Sequence, residues 1–157
     1  MAYLNKTRKS RVTAQDKLGF CLRERLWMRD PLNKKKILIV DDQETNLDFL
    51  EEHFSKKVGF IVERAKDGVD ALKKLDNFYP DIILLDNIMP HMTGHELVRI
   101  LKSDRKYSKI PIIIFSANDN TVEKASCLNL GIEEYIVKPI NLSSLRERIK
   151  AVLSREA

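Results

Sequence analysis

The sequence predicts an α/β fold: one doubly wound, five-stranded parallel sheet with helices on both faces. Three observations predict it. The apolar runs at 37–40, 82–85 and 112–115 are continuous rather than alternating, as expected of strands buried on both faces of a parallel sheet. Strand-like and helix-like segments alternate five times between about residues 35 and 153, which implies βα units joined by right-handed crossovers. The runs also end in polar residues: Asp41-Asp42, Asp86, Ser116, and Lys138-Pro139 after Tyr135. Ligands of open α/β sheets sit at such carboxyl ends.

Each element follows in order. Strand 36–40 leads into helix 43–55, whose apolar face is Leu47, Leu50 and Phe54. Strand 59–63 and helix 67–78 come next, then strand 82–86, which closes on Asp86. Thr93 and Glu96 form a capping-box pattern that opens helix 94–104. Strand 110–115 precedes helix 118–130, which offers only Val122, Ala125 and Leu128 to a core and should be the most loosely held. Strand 134–137 leads to helix 141–154, with Asn141 as N-cap and Leu142, Leu145, Ile149, Val152 and Leu153 as its apolar set. The crossover rule places helices 43–55 and 141–154 on the same face of the sheet.

Three carboxylates, a hydroxyl and an ammonium are thus expected at one sheet edge. Two carboxylates about 4 Å apart repel by roughly 4 kcal/mol at an effective dielectric near 20. A divalent cation relieves this, and Mg²⁺ favours one or two carboxylates together with phosphate oxygens. Lys138 adds a point charge and Ser116 a donor for oxygens that a metal leaves uncovered. One carboxylate can itself be the nucleophile, since aspartyl phosphates are known covalent intermediates.

Together, Asp41-Asp42, Asp86-Asn87-Ile88-Met89-Pro90 with Gly94, Ser116-Ala117 and Lys138-Pro139 closely resemble the receiver domain of two-component response regulators. The resemblance covers about three quarters of the chain and implies a flavodoxin-like fold with strand order 2-1-3-4-5. It implies that Asp86 accepts a phosphoryl group from a sensor histidine kinase or phosphotransfer protein. Asp42 and Asp86 would bind Mg²⁺ directly with the Ile88 carbonyl, and Asp41 through a metal-bound water. Ser116 would hydrogen-bond the phosphoryl group, Lys138 would pair with it, and Tyr135 would rotate inward behind Ser116. The Lys138-Pro139 bond is expected to be cis. Ile88 and Asn118, two residues beyond the acceptor and the switch hydroxyl, are uncharged and offer no general base toward water, so the phosphoryl lifetime stays open.

Composition agrees with a soluble globular chain. It is 43% hydrophobic and 32% charged over 157 residues, with no long apolar stretch. Cys21 and Cys127 lie outside any metal-ligand spacing and suit a reducing cytoplasm. Charge divides sharply along the chain. Residues 1–36 hold 11 Lys and Arg against 3 Asp and Glu, a net +8, and the remainder carries −3.

Residues 1–34 are therefore expected to be a basic extension of the receiver at 35–157, with residues 30–36 as linker because Pro31 ends any preceding helix. A helix near 13–29 would place Ala14, Leu18, Cys21 and Leu22 on one face and Phe20 and Trp27 nearly opposite. Such a helix would bury apolar groups against its receiver, a second copy or another protein; a solvated extension is the plainer alternative. Nucleic-acid binding is not expected, because no helix-turn-helix pair is recognisable. His91 and His95 stand at a metal-compatible interval without a third ligand, and Cys127 reads as core.

The functional expectation is a cytoplasmic, non-enzymatic, stoichiometric phosphoacceptor. Its output would be protein contacts, including a possible homodimer, made by the 118–154 face or the N-terminal extension. Two alternatives are a docking scaffold that does not depend on phosphate and the receiver segment of a larger hybrid kinase.

Overall fold

The computed structural model describes residues 30–155. The expected helix near 13–29 lies outside the described residues. The chain divides into two units at Asp30/Pro31, and the second contains the sheet.

Five parallel strands, β1 (Lys36–Val40), β2 (Ile61–Ala65), β3 (Ile82–Asp86), β4 (Ile112–Ser116) and β5 (Glu134–Val137), lie in the order β2-β1-β3-β4-β5. The helices are α1 (Glu44–Glu51, continued by a π-helical stretch Glu52–Val58), α2 (Gly68–Leu75), α3 (Gly94–Ser103), α4 (Thr121–Asn129) and α5 (Leu142–Arg155). β3 and β4 are buried at every position, as their continuous apolar runs require.

Alternation along each strand builds two cores. Leu38, Val40, Ile83, Leu85, Ile112 and Ile114 face Ala71 and Leu75 of α2, Leu97 and Leu101 of α3, and Cys127 of α4. Ile37, Ile39, Ile82, Leu84, Ile113 and Phe115 face Leu47, Leu50 and Phe54 of α1 and Leu145, Ile149 and Val152 of α5. Helices α1 and α5 therefore share a face, as the crossover rule demands. Each such Leu or Ile contributes roughly 1.5–3 kcal/mol through burial.

Several boundaries differ from expectation, each for a local reason. Helix α1 does not stop near residue 55; the π-helical turns carry it to Val58 and bury both Phe54 and Val58. Gly59, at φ 87°, then reverses the chain, and Phe60 N–H donates to Phe54 O, so β2 starts at Ile61. Helix α4 starts at Thr121, where the Asn120 side chain caps the Val122 and Glu123 amides.

The apolar face expected of α4 is overturned. Val122 is 77% exposed and Leu128 42%, and Cys127 is the residue the helix buries. That still leaves α4 lightly held. Residues 31–34 are not a free linker: they form a turn, Leu32 is in the core, and Lys34 N–H donates to Gly59 O. The capping box at Thr93 and Glu96 is complete, and Asn141 Oδ1 accepts from Ser144 N–H at 2.9 Å.

No helix among the described residues is long and apolar enough to cross a membrane.

Candidate functional site

The carboxyl ends of β1, β3, β4 and β5 converge because the four strands are parallel and adjacent, with Asp86 paired to Phe115 and Ser116 to Val137 in register. Asp86 is the last residue of β3 and is 5% exposed. Asp41 is buried and Asp42 exposed, and oxygens of all three carboxylates lie within 4.8 Å of one another. Asp41 is fixed by its own loop: Oδ1 accepts from Gln43 N–H at 2.8 Å and Oδ2 from the Asn46 amide at 3.0 Å.

Lys138 supplies the opposing charge. Its Nζ lies 3.1 Å from Asp86 Oδ1 and 3.9 Å from Asp41 Oδ2. The backbone presents it there, since Lys138 N–H donates to Ser116 O at 2.8 Å. The Lys138-Pro139 bond is cis, as expected. Burial pushes the Asp86 carboxyl above its usual range, and Asp41 and Asp42 add to this, whereas the Lys138 hydrogen bond and charge pull it down. The cluster remains electron-rich, and its hard oxygen donors fit a divalent cation.

Ser116 is fully buried, and its Oγ accepts from Asn118 N–H at 3.2 Å. Tyr135 is already inside, 5% exposed, with its hydroxyl directed at Asn118 O at 3.5 Å. The expected inward rotation is thus not needed to bury the ring in this structure. Ile88 is 54% exposed, and Met89 is buried.

Gly94 has a steric reason to be glycine. A Cβ there would come within 2.7 Å of Asp86 O and 2.8 Å of Asn87 Cα, and the Gly94 N–H donates to Asn87 O at 2.8 Å. The loop after the acceptor therefore closes tightly onto α3.

The other histidines do not join this site. His91 sits in the loop at φ 68°, and His95 on α3 pairs with Ser126 Oγ of α4 at 2.9 Å. The His53 ring nitrogens are buried on α1, and burial, then Lys57 and Arg146, lowers its proton affinity.

Two residues were missed by sequence reasoning. Asn87 is 1% exposed, and its Nδ2 donates to Glu123 Oε1 of α4 at 2.6 Å. The available signal was a polar side chain directly after Asp86, which alternation sends to the opposite side of the strand end.

The fold and the site together define an α/β domain with three carboxylates and a lysine clustered at the strand ends of a parallel sheet, and comparison with known proteins gives its family. The response regulator receiver domain matches residues 37–150. The chain belongs to the response regulator receiver family. It is 36% identical over 122 residues to "Probable transcriptional regulator ycf27" of Guillardia theta, covering 78% of this chain and 46% of that protein. It is 37% identical over 127 residues to "Regulator of RpoS" of Escherichia coli K12, covering 80% of this chain and 37% of that protein. The chain thus spans less than half the length of these relatives. Among solved structures, the signal receiver domain of a signal transduction histidine kinase from Syntrophus aciditrophicus superimposes with a TM-score of 0.70 at 31% identity, covering 76% of this chain and 90% of that one.

Proposed function

We propose that Asp86 is a phosphoacceptor that takes a phosphoryl group from the phosphohistidine of a sensor histidine kinase or phosphotransfer protein. The observation that carries this reading is the buried Asp86 carboxylate, held 3.1 Å from Lys138 Nζ and within reach of two further carboxylates.

Asp41, Asp42, Asp86 and the Ile88 carbonyl would hold Mg²⁺, which supplies charge neutralisation for the incoming phosphoryl oxygens. An Asp86 carboxylate oxygen forms the new bond to phosphorus as the imidazole leaves. Lys138 keeps its charge against the acceptor, and the Ser116 hydroxyl donates to a phosphoryl oxygen. The protein acts stoichiometrically, as a signalling component and not as a turnover enzyme.

Output runs through the face built by α4, β5 and α5, where exposed Val122 and Leu128 offer apolar contacts to a downstream protein or a second copy. The 1–34 extension is a second possible contact region. One observation favours a further reading, that the chain is the receiver segment of a larger protein: it spans under half of the relatives above, and its fold matches a receiver from a histidine kinase. Both readings share the same phosphoacceptor.

The test is transfer from a phosphorylated histidine kinase. Acid-labile, base-sensitive label should move to wild type and not to Asp86→Asn. Equal transfer to both would remove the assignment.

A further inference from the structure

The parallel sheet gives the domain two unlike ends. Each helix starts at the carboxyl ends of the strands, where the acidic cluster lies, and finishes at their amino ends. The amino ends are basic. Lys34 to Lys36 lead into β1, Lys56 and Lys57 close the continuation of α1, Lys73 and Lys74 close α2, and Arg105, Lys106 and Lys109 join α3 to β4. The acids at this end are Asp76, Asp81, Asp104 and Glu133. Separate elements meet in one surface here: Lys35, Tyr79, Asp81, Lys109 and Leu153 line a single depression, and the Tyr79 hydroxyl donates to Lys106 O at 3.1 Å.

Local structure accounts for part of this charge. Cations in a last turn complement the helix macrodipole, which suffices for Lys56, Lys57, Lys73 and Lys74. The other six lie outside the helices. Nearby acids do not neutralise them. Asp81 is taken up by Lys35 Nζ at 3.7 Å and Lys36 N–H at 2.7 Å, and Asp104 Oδ1 accepts from Lys106 N–H at 2.8 Å. Glu52 and Glu63 pair with Lys56 and Lys74. Lys34, Lys57, Lys73, Arg105 and Lys109 are exposed and form no ion pair among the described residues.

Three features point to an anionic bilayer rather than a nucleic acid. The charge is almost all lysine, a hydrated point charge, with little of the forked arginine that nucleic-acid recognition favours. Helix ends and strand starts make up the surface, so it offers no helix or ribbon to a groove. Among the lysines stands Tyr79, 51% exposed, an amphipathic ring suited to a headgroup layer. We propose that the amino-end surface of the sheet holds the protein peripherally on an anionic lipid bilayer, its lysines against the headgroup phosphates. Residues 1–33, which join the chain at Lys34, carry eight Lys and Arg against three Asp and Glu and continue the same charge in sequence. Strands of five residues put roughly 17 Å between the two ends, beyond a Debye length of about 8 Å. The bilayer therefore attracts the basic end without strongly repelling the acidic one, and Asp86 faces away from the lipid.

The experiment is co-sedimentation of the full chain with vesicles of phosphatidylcholine alone or with one third phosphatidylglycerol. Three proteins are compared: wild type, the triple variant Lys73→Gln, Arg105→Gln, Lys109→Gln, and a control triple Lys66→Gln, Arg99→Gln, Lys124→Gln of equal charge change outside this end. Wild type should bind only the phosphatidylglycerol vesicles and should be released by raised salt. The first triple should bind them on the order of a hundredfold more weakly, and the control triple should bind as wild type does. Hydrogen exchange on vesicles should slow within residues 76–81 and 104–110 and stay unchanged within 87–93 and 117–120. No binding by wild type, equal loss in both triples, or undiminished binding by the first triple overturns the proposal. Protection at 87–93 in place of 76–81 overturns it too, as does tighter binding to duplex DNA than to the vesicles at the same salt.

Discussion

Lys138 Nζ stands 3.1 Å from Asp86 Oδ1 and only 3.9 Å from Asp41 Oδ2, so one ammonium serves two buried carboxylates. It is presented by a backbone hydrogen bond to Ser116 O rather than by core packing. Lys138→Ala should therefore leave the fold intact and weaken binding of a phosphoryl mimic. Loss of a charge-assisted bond worth about 1.5–3 kcal/mol lowers beryllofluoride affinity on the order of tenfold to a hundredfold. A titration followed by spectroscopy checks this, and unchanged affinity would contradict the role given to Lys138.

The acceptor itself should destabilise the metal-free fold. Burial raises the Asp86 carboxyl, with Asp41 and Asp42 adding to the effect. A carboxyl raised in the folded state weakens folding as pH climbs through the unfolded value, and the penalty is complete above the folded value. At pH 7 without metal, Asp86→Asn should melt roughly 2–5 °C above wild type. The gain should shrink as pH falls and vanish below about 4, where the carboxyl becomes protonated in the unfolded state as well as the folded one. Calorimetry across that range checks the sign, and a gain that grows on acidification would refute it.

Gly94→Ala should harm both fold and site. The added Cβ would meet Asp86 O at 2.7 Å and Asn87 Cα at 2.8 Å, both backbone atoms. Overpacking of this kind costs about 1–3 kcal/mol. Denaturant unfolding should show that loss, and phosphodonor labelling should slow because the Asp86 peptide must shift. Wild-type stability would mean that the loop yields without cost.

The site was legible in the sequence because each of its polar groups ends an apolar run, and parallel strands bring such ends together. Asp41, Asp42, Asp86, Ser116 and Lys138 were all located that way. Residue pattern could not reveal the π-helical end of α1, since the apolar spacing of Phe54 and Val58 fits an α-helix equally well. Nor could it show which side of α4 faces the sheet. With Val122, Ala125, Cys127 and Leu128 all plausible core residues, the Asn120 cap and the register of the helix decide in favour of Cys127. The inward position of Tyr135 and the reach of Asn87 to Glu123 are side-chain facts that no periodicity encodes.

The central claim is tested most directly by intact-mass measurement after incubation with a small-molecule phosphodonor. Wild type should gain a single phosphoryl group only when Mg²⁺ is present, and Asp86→Asn should gain none under either condition. Equal labelling of Asp86→Asn and wild type would contradict the account.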